Sequence, residues 1–308
     1  MNGTPSPTTW HEQPLLLNCE GESLFAVLSR PADAISDVGV VIVVGGPQYR
    51  TGSHRQFVHL ARSLAASGTP TLRFDARGMG DSTGERRPFT DMTADITAAF
   101  QGFRRACPSV SRVVLCGLCD GASAILLHLE ASQRADVAGL ILMNPWVRSG
   151  VEASSVSLVK HYYVRRLLDR AFWSRLLRGE LAPGSLRDFF GHALRTARPS
   201  ASSTTGHNDS AGRPYPDRMA LALSAHAGPV LLVLSGADLT ASEFIEHANS
   251  HPGWTECLRR PQVHRLDMQE ADHTFSDATE RQAVEAACIA FTQALHDGTT
   301  SGAYRTTP

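Results

Sequence analysis

Two rhythms of apolar residues alternate along this chain. Short runs rich in Val, Leu and Ile predict strands, and apolar positions at helical spacing predict the helices between them. The segment "PLLLNCEGESLFAVLSRP" reads as an opening hairpin that turns near Glu20–Gly21. Further strands are read in "VGVVIVVGG" (residues 38–46), "TPTLRFDARG", "SRVVLCG", "VAGLILMNPW", "GPVLLVLSG" and "QVHRLDMQ". Helices are read in "RQFVHLARSLAASG", with Gly68 past its end, and in "FTDMTADITAAFQGFRRA", opening on a threonine cap. Two more run from about Asp120 to Arg134 and from about Asp277 to His296. Strands alternating with helices predict an α/β fold, with a mainly parallel central sheet of about eight strands and helices on both faces.

Residues 148–218 break the alternation. "VSLVKHYYVRRLLDRAFWSRLLRGEL" is amphipathic, aromatic and Arg-rich, and "RPSASSTTGHNDSAGRP" is a Ser/Thr/Gly-rich segment expected to be flexible. An insertion of that length after a sheet strand predicts an inserted helical cap or lid. The expected organisation is therefore a core of residues 1–147, a cap of 148–218, a second core part of 219–298 and a disordered tail of 299–308.

Composition narrows the class. The chain has 308 residues, 29 basic against 30 acidic, with 42% hydrophobic and 19% charged residues, as in a globular protein with an ample core. A net charge of −1 and the lack of a nucleic-acid motif exclude nucleic acid as the expected partner. The first residues lack the apolar core of a signal peptide, and no apolar run is long enough to span a bilayer, so a cytoplasmic protein is expected. Six scattered cysteines do not suggest a disulfide framework. No metal site and no cofactor are expected.

The chemistry concentrates in "VVLCGLCDGAS". Gly117-Leu118-Cys119-Asp120-Gly121 is G-x-C-x-G, with a strand before and a helix after, the setting of a nucleophile elbow. Such a turn tolerates little beyond hydrogen at its flanks. The helix beginning at Asp120 points its N-terminal end at the thiol, which favours the thiolate. Three rival readings exist. Gly80-Asp81-Ser82-Thr83-Gly84 is a literal G-x-S-x-G, but no strand leads directly into it and Arg86-Arg87-Pro88 follows in place of an apolar helix. Cys116 and Cys119 form C-x-x-C, yet Cys116 falls inside an apolar strand rather than exposed at a helix start, and no second close pair completes a zinc site. Finally, Cys119 could be an inert packing thiol.

A cysteine nucleophile needs a histidine, and elbow enzymes keep the chain order nucleophile, acid, histidine. Asp238 follows the strand in "VLLVLSGADLTASEF", and His273 lies between the last strand and the last helix in "RLDMQEADHTFSD". Asp238 could instead cap the helix "TASEFIEHA", and Asp272, Asp267 and Glu270 are too near His273 in sequence to orient its ring in the usual way. The oxyanion would be held by the N–H groups of Asp120 and Gly46, with Gln48 in reserve because Pro47 has no N–H. Gln48, Arg50, His54, Trp146, Tyr162 and Tyr163 are candidate substrate contacts. Arg50 and His54 could equally be surface charges, and the two tyrosines cap-to-core packing.

The blocks "VVGGP", "RFDARGMGDSTG", G-x-C-x-G, "SGAD" and "ADHTF" follow in the order of the α/β-hydrolase superfamily, which the chain resembles over nearly its whole length. More narrowly, "GGPQYRTGSHRQF", "RFDARGMGDS", "GLCDGAS" and "LMNPWVRS" with "VKHYYVRRLL" and "FWSRLLRGE" resemble the exosortase A system-associated hydrolases of the first type. The resemblance implies the α/β-hydrolase fold, with Cys119 as nucleophile and Asp238 and His273 as its partners. Cysteine in this role is also similar to dienelactone hydrolases and to polyhydroxyalkanoate synthases, which are acyltransferases. The expected activity is cysteine-dependent cleavage of an ester or thioester through an acyl-cysteine, with transfer to an amine, alcohol or thiol as one alternative and a non-catalytic binding role as the other. The expected partner is a small ester or thioester, conceivably acyl-CoA or an acyl carrier protein, and a basic cap could touch a membrane surface.

Overall fold

A computed structural model describes residues 9–32, 36–46, 48–132, 136–148 and 212–299. The expected cap, with Tyr162 and Tyr163, lies almost wholly outside the described residues, and so does nearly all of the expected tail. The core unit runs to Val147 and resumes at Arg213. Helix α4 (Tyr215–Ala225) already belongs to it, so the core begins again ahead of residue 219.

β1 (Trp10–Cys19) and β2 (Glu22–Pro31) form the opening hairpin. They are followed by β3 (Val38–Val43), β4 (Thr71–Phe74), β5 (Arg112–Leu118), β6 (Val137–Met143), β7 (Val230–Ser235) and β8 (Val263–Met268). These eight strands form one sheet in the order β1-β2-β4-β3-β5-β6-β7-β8. The pairs β1–β2 and β2–β4 are antiparallel and every other pair is parallel. Strands β3 and β7 are buried at every position, which accounts for their unbroken apolar runs, whereas the edge strand β8 alternates.

The helices are α1 (Gln56–Ala66), α2 (Thr93–Ala106), α3 (Asp120–Ser132), α4, α5 (Leu239–Ser250), α6 (Pro252–Leu258) and α7 (Ala278–His296). The threonine cap expected for α2 is not formed. Phe89–Asp91 makes a separate short 3-10 turn, and the helix starts at Thr93 with no side chain capping it. Two apolar layers sandwich the sheet. Phe100, Phe103, Ile125, Met219, Phe244 and Trp254 build one, from α2 to α6. Phe57, Leu60, Leu64, Cys288 and Phe291 build the other, from α1 and α7. Along β5 the two-residue period sends Val113 and Leu115 into the first layer and Val114 and Cys116 into the second.

Strand order reverses between β3 and β5, since β4 lies on one side of β3 and β5 on the other. A crevice opens outside the carboxyl ends of strands at such a switch point.

The hairpin is pinned by charge. Glu12 on β1 accepts hydrogen bonds from Arg62 of α1 (2.7 Å) and from the buried Arg73 of β4 (2.8 Å). Burial works against the Glu12 carboxylate, but the two guanidinium groups prevail and hold its pKa down at about 2. A folded-state pKa below the ordinary value adds stability above pH 4.5, and that stability is lost as the pH falls toward 2. Glu12→Gln is expected to cost about 1–2 kcal/mol at neutral pH, the worth of charge-assisted hydrogen bonds at a partly exposed site. Urea unfolding of both proteins should show that gap closing as the pH falls through this window; a gap that does not change with pH would contradict the assignment.

Candidate active site

Cys119 stands between the end of β5 and the start of α3 with φ 58°, a left-handed conformation costly for any residue but glycine. Its backbone is held from both sides. The N–H donates to Met143 O at 2.9 Å, and the carbonyl accepts from Ser123 N at 3.2 Å and Trp146 N at 3.3 Å. The flanking glycines are required by close approach. A Cβ on Gly121 would lie 2.5 Å from the Val43 carbonyl oxygen, and one on Gly117 would lie 2.7 Å from the Gly121 carbonyl carbon. Helix α3 is thereby drawn against the ends of β3 and β5, which lifts Cys119 into the crevice.

His273, in the loop between β8 and α7, lines the same cavity as Cys119. Its Nδ1 lies 2.8 Å from Asp238 Oδ2. Asp238 is also the N-cap of α5, its two oxygens accepting from Thr240 N (3.2 Å) and Ala241 N (3.1 Å). One carboxylate thus both caps α5 and meets the imidazole, and the cap fixes its position. Burial opposes the imidazolium, yet the hydrogen bonds and charges of Asp238 and Cys119 outweigh it and push the His273 pKa well above its usual range. Two of the other acids are engaged elsewhere: Asp272 accepts from Thr274 N and Ser276 N, and Asp267 pairs with Arg265.

The crevice holds a cavity of about 410 Å³. Gly45, Gly46, Gln48, Cys119, Asp120 and His273 make its polar end, while Phe57, Phe89, Leu118 and Trp146 make its apolar wall. Of the expected substrate contacts, Gln48 and Trp146 line this cavity. Arg50 does not line the cavity. Its guanidinium pairs with Asp75 and Asp81 and stacks over the Phe25 ring at 4.2 Å. His54 is exposed before α1 and is also outside the lining. The Gly46 N–H donates to Asp120 Oδ2 at 2.7 Å. Burial raises the Asp120 carboxyl pKa; the N–H groups of Gly46, Asp120 and Gly121 and the charge of His273 counter it only in part.

The rival motifs have structural work. Ser82 Oγ accepts from Phe25 N at 2.8 Å and donates to the Asp75 carbonyl at 2.7 Å, stapling its turn to the hairpin. Arg77 in the same loop donates to the fully buried Asp95. Cys116 is fully buried against the α1 and α7 layer, and burial drives its thiol pKa far up, so it stays a protonated packing group.

Asn144 was not legible as a site residue. Fully buried at the end of β6, it donates to Ser235 Oγ (2.9 Å) and to the His273 carbonyl (3.1 Å) and accepts from Ser235 N (2.9 Å). Ser235 Oγ in turn donates to the Asp272 carbonyl at 2.8 Å. These bonds tie the histidine loop to β6 and β7.

The sheet order, the elbow and the crevice are those of the α/β-hydrolase fold. The profile of the serine aminopeptidase S33 family matches residues 38–189, a stretch that includes the elbow and ends before Asp238. No curated protein matches the chain. Among solved structures, the esterase Pf2001 of Pyrococcus furiosus aligns with a TM-score of 0.60 at 16% identity, covering 95% of this chain and 96% of that one. Est1E of Butyrivibrio proteoclasticus, solved with ferulic acid, gives 0.57 at 15% over 91% and 98% of the two chains. The haloalkane dehalogenase DatA of Agrobacterium tumefaciens gives 0.57 at 14% over 92% and 97%. At these identities the likeness is one of fold.

Asn144→Ala would leave the Ser235 N–H and the His273 carbonyl short of a partner, and it is expected to cost about 2 kcal/mol. Urea unfolding measures this directly. A loss below about 0.5 kcal/mol, the range of surface substitutions, would show that the bridge does not hold the loop.

Proposed function

We propose that the protein is a cysteine-dependent acyl hydrolase that cleaves an ester or thioester through an acyl-enzyme on Cys119. The observation that carries this reading is that Cys119 and His273 face the same cavity, with His273 held by the capped carboxylate of Asp238.

In the reading, Nδ1 of His273 is engaged by Asp238, so Nε2 takes the thiol proton. The thiolate attacks the substrate carbonyl carbon and a C–S bond forms, with negative charge on the former carbonyl oxygen. The N–H of Asp120 and the N–H of Gly46 or Gln48 are the donors nearest in the fold to that oxygen. Collapse breaks the bond to the leaving alkoxide or thiolate, which takes the proton from His273. Water, deprotonated by His273, then attacks the thioester, releases the acid and restores the thiol.

The apolar wall of Phe57, Phe89, Leu118 and Trp146 suits an apolar or aromatic acyl group. The same wall limits water beside the thioester, and this favours transfer to an amine, alcohol or thiol as the second reading. The esterases among the structural neighbours support ester cleavage. At a finer level, "GGPQYRTGSHRQF", "RFDARGMGDS" and "GLCDGAS" support membership of the exosortase A system-associated hydrolases. Binding of an acyl-CoA, an acyl carrier protein or a membrane would fall to the cap outside the described residues.

With p-nitrophenyl esters, Cys119→Ala and His273→Ala should each lower kcat by about a thousandfold or more, as loss of a triad member does. Ser82→Ala should keep most of the activity while losing about 1 kcal/mol of stability through its broken staple. An inactive Ser82→Ala protein that folds, beside an active Cys119→Ala protein, would reverse the assignment.

A further inference from the structure

One of the two N–H groups best placed to receive an oxyanion is already in use. Gly46 N donates to Asp120 Oδ2 at 2.7 Å. The Asp120 and Gly121 N–H groups also favour the charged form of this carboxylate, although burial outweighs them. The fit is close on the loop side: a Cβ on Gly45 would fall 1.9 Å from Asp120 Oδ1, so this position must be glycine for the carboxylate to lie there. Negative charge developing on a substrate oxygen at the same donors would meet an occupied and like-charged pocket.

We propose that the Asp120 carboxylate occupies the oxyanion pocket of the resting enzyme, and that Cys119 is acylated only when this side chain swings away from Gly46. The inference rests on the acyl-enzyme reading of Cys119. It makes Asp120 a positioning residue with two opposed parts. Its backbone N–H serves the oxyanion, while its side chain withholds the N–H of Gly46 until substrate displaces it. A carboxylate anchored by backbone N–H groups stays put in the absence of a competitor, because charge-assisted hydrogen bonds are the stronger kind. The resting thiol would then be accessible to reagents and still slow toward esters.

The test compares two reactions of the same sulfur. Acylation by p-nitrophenyl acetate passes through an oxyanion; alkylation by iodoacetamide does not. Both rate constants are measured by intact mass for the wild type, Asp120→Ala and Asp120→Asn. Removing a nearby negative charge would speed both reactions, so the readout is the ratio of acylation to alkylation. The ratio should rise about tenfold in Asp120→Ala, the scale of one charge-assisted hydrogen bond, and rise less in Asp120→Asn. The asparagine variant keeps the shape of the side chain and decides the matter should the alanine variant not fold. A ratio that stays level or falls in the folded variants overturns the proposal and makes Asp120 a plain brace of the loop. Alkylation without acylation in all three proteins overturns the acyl-enzyme reading and this inference together.

Discussion

Everything in the site depends on one backbone constraint, the left-handed conformation of Cys119 between β5 and α3. A side chain there is strained, and only the surrounding structure can hold it. Gly117 and Gly121 allow α3 to approach within contact of Val43 and the elbow backbone, and the Met143, Ser123 and Trp146 hydrogen bonds close the turn. That geometry sets the thiol at the switch point of the sheet, faces it with the loop after β3 and aims the first turn of α3 at it.

A second constraint works at a distance. The Asp238 carboxylate must cap α5 and meet His273 at the same time, and Asn144 with Ser235 holds the carbonyl side of the histidine loop. The imidazole is therefore positioned by three strand ends, β6, β7 and β8, none of which carries the nucleophile. Such support from rigid elements is what keeps a proton-transfer pair aligned.

Much of this was legible in the amino-acid pattern. Buried parallel strands announce themselves as short apolar runs, as β3 and β7 do, and the opening hairpin and the edge strand β8 were read from alternating residues and a Glu-Gly turn. Cys119, Asp238 and His273 could be picked out because chain order and position after a strand select them from many equivalent side chains. Other features had no such signal. Phe57 and Phe89 look like any core aromatics until the cavity is seen between them. Arg50 reads as an exposed cation, and only the fold brings Asp75 and Asp81 to it. Helix α4 follows a Ser/Thr/Gly-rich stretch and has a short apolar stripe, and α6 is only seven residues long, so neither stands out. The direction of the Asp120 side chain depends on the Gly45–Gly46 loop of a different strand, a long-range fact that a local motif does not hold.

The central claim is that Cys119 forms a covalent acyl intermediate. It is tested most directly by exposing the native protein to a panel of acyl thioesters and activated esters, measuring intact mass and mapping the modified peptide. The account predicts a single acyl adduct on the peptide carrying Cys119, absent after prior alkylation of that thiol. An adduct on the peptide carrying Ser82, or a chain that alkylates at Cys119 and accepts no acyl group from any member of the panel, would contradict it.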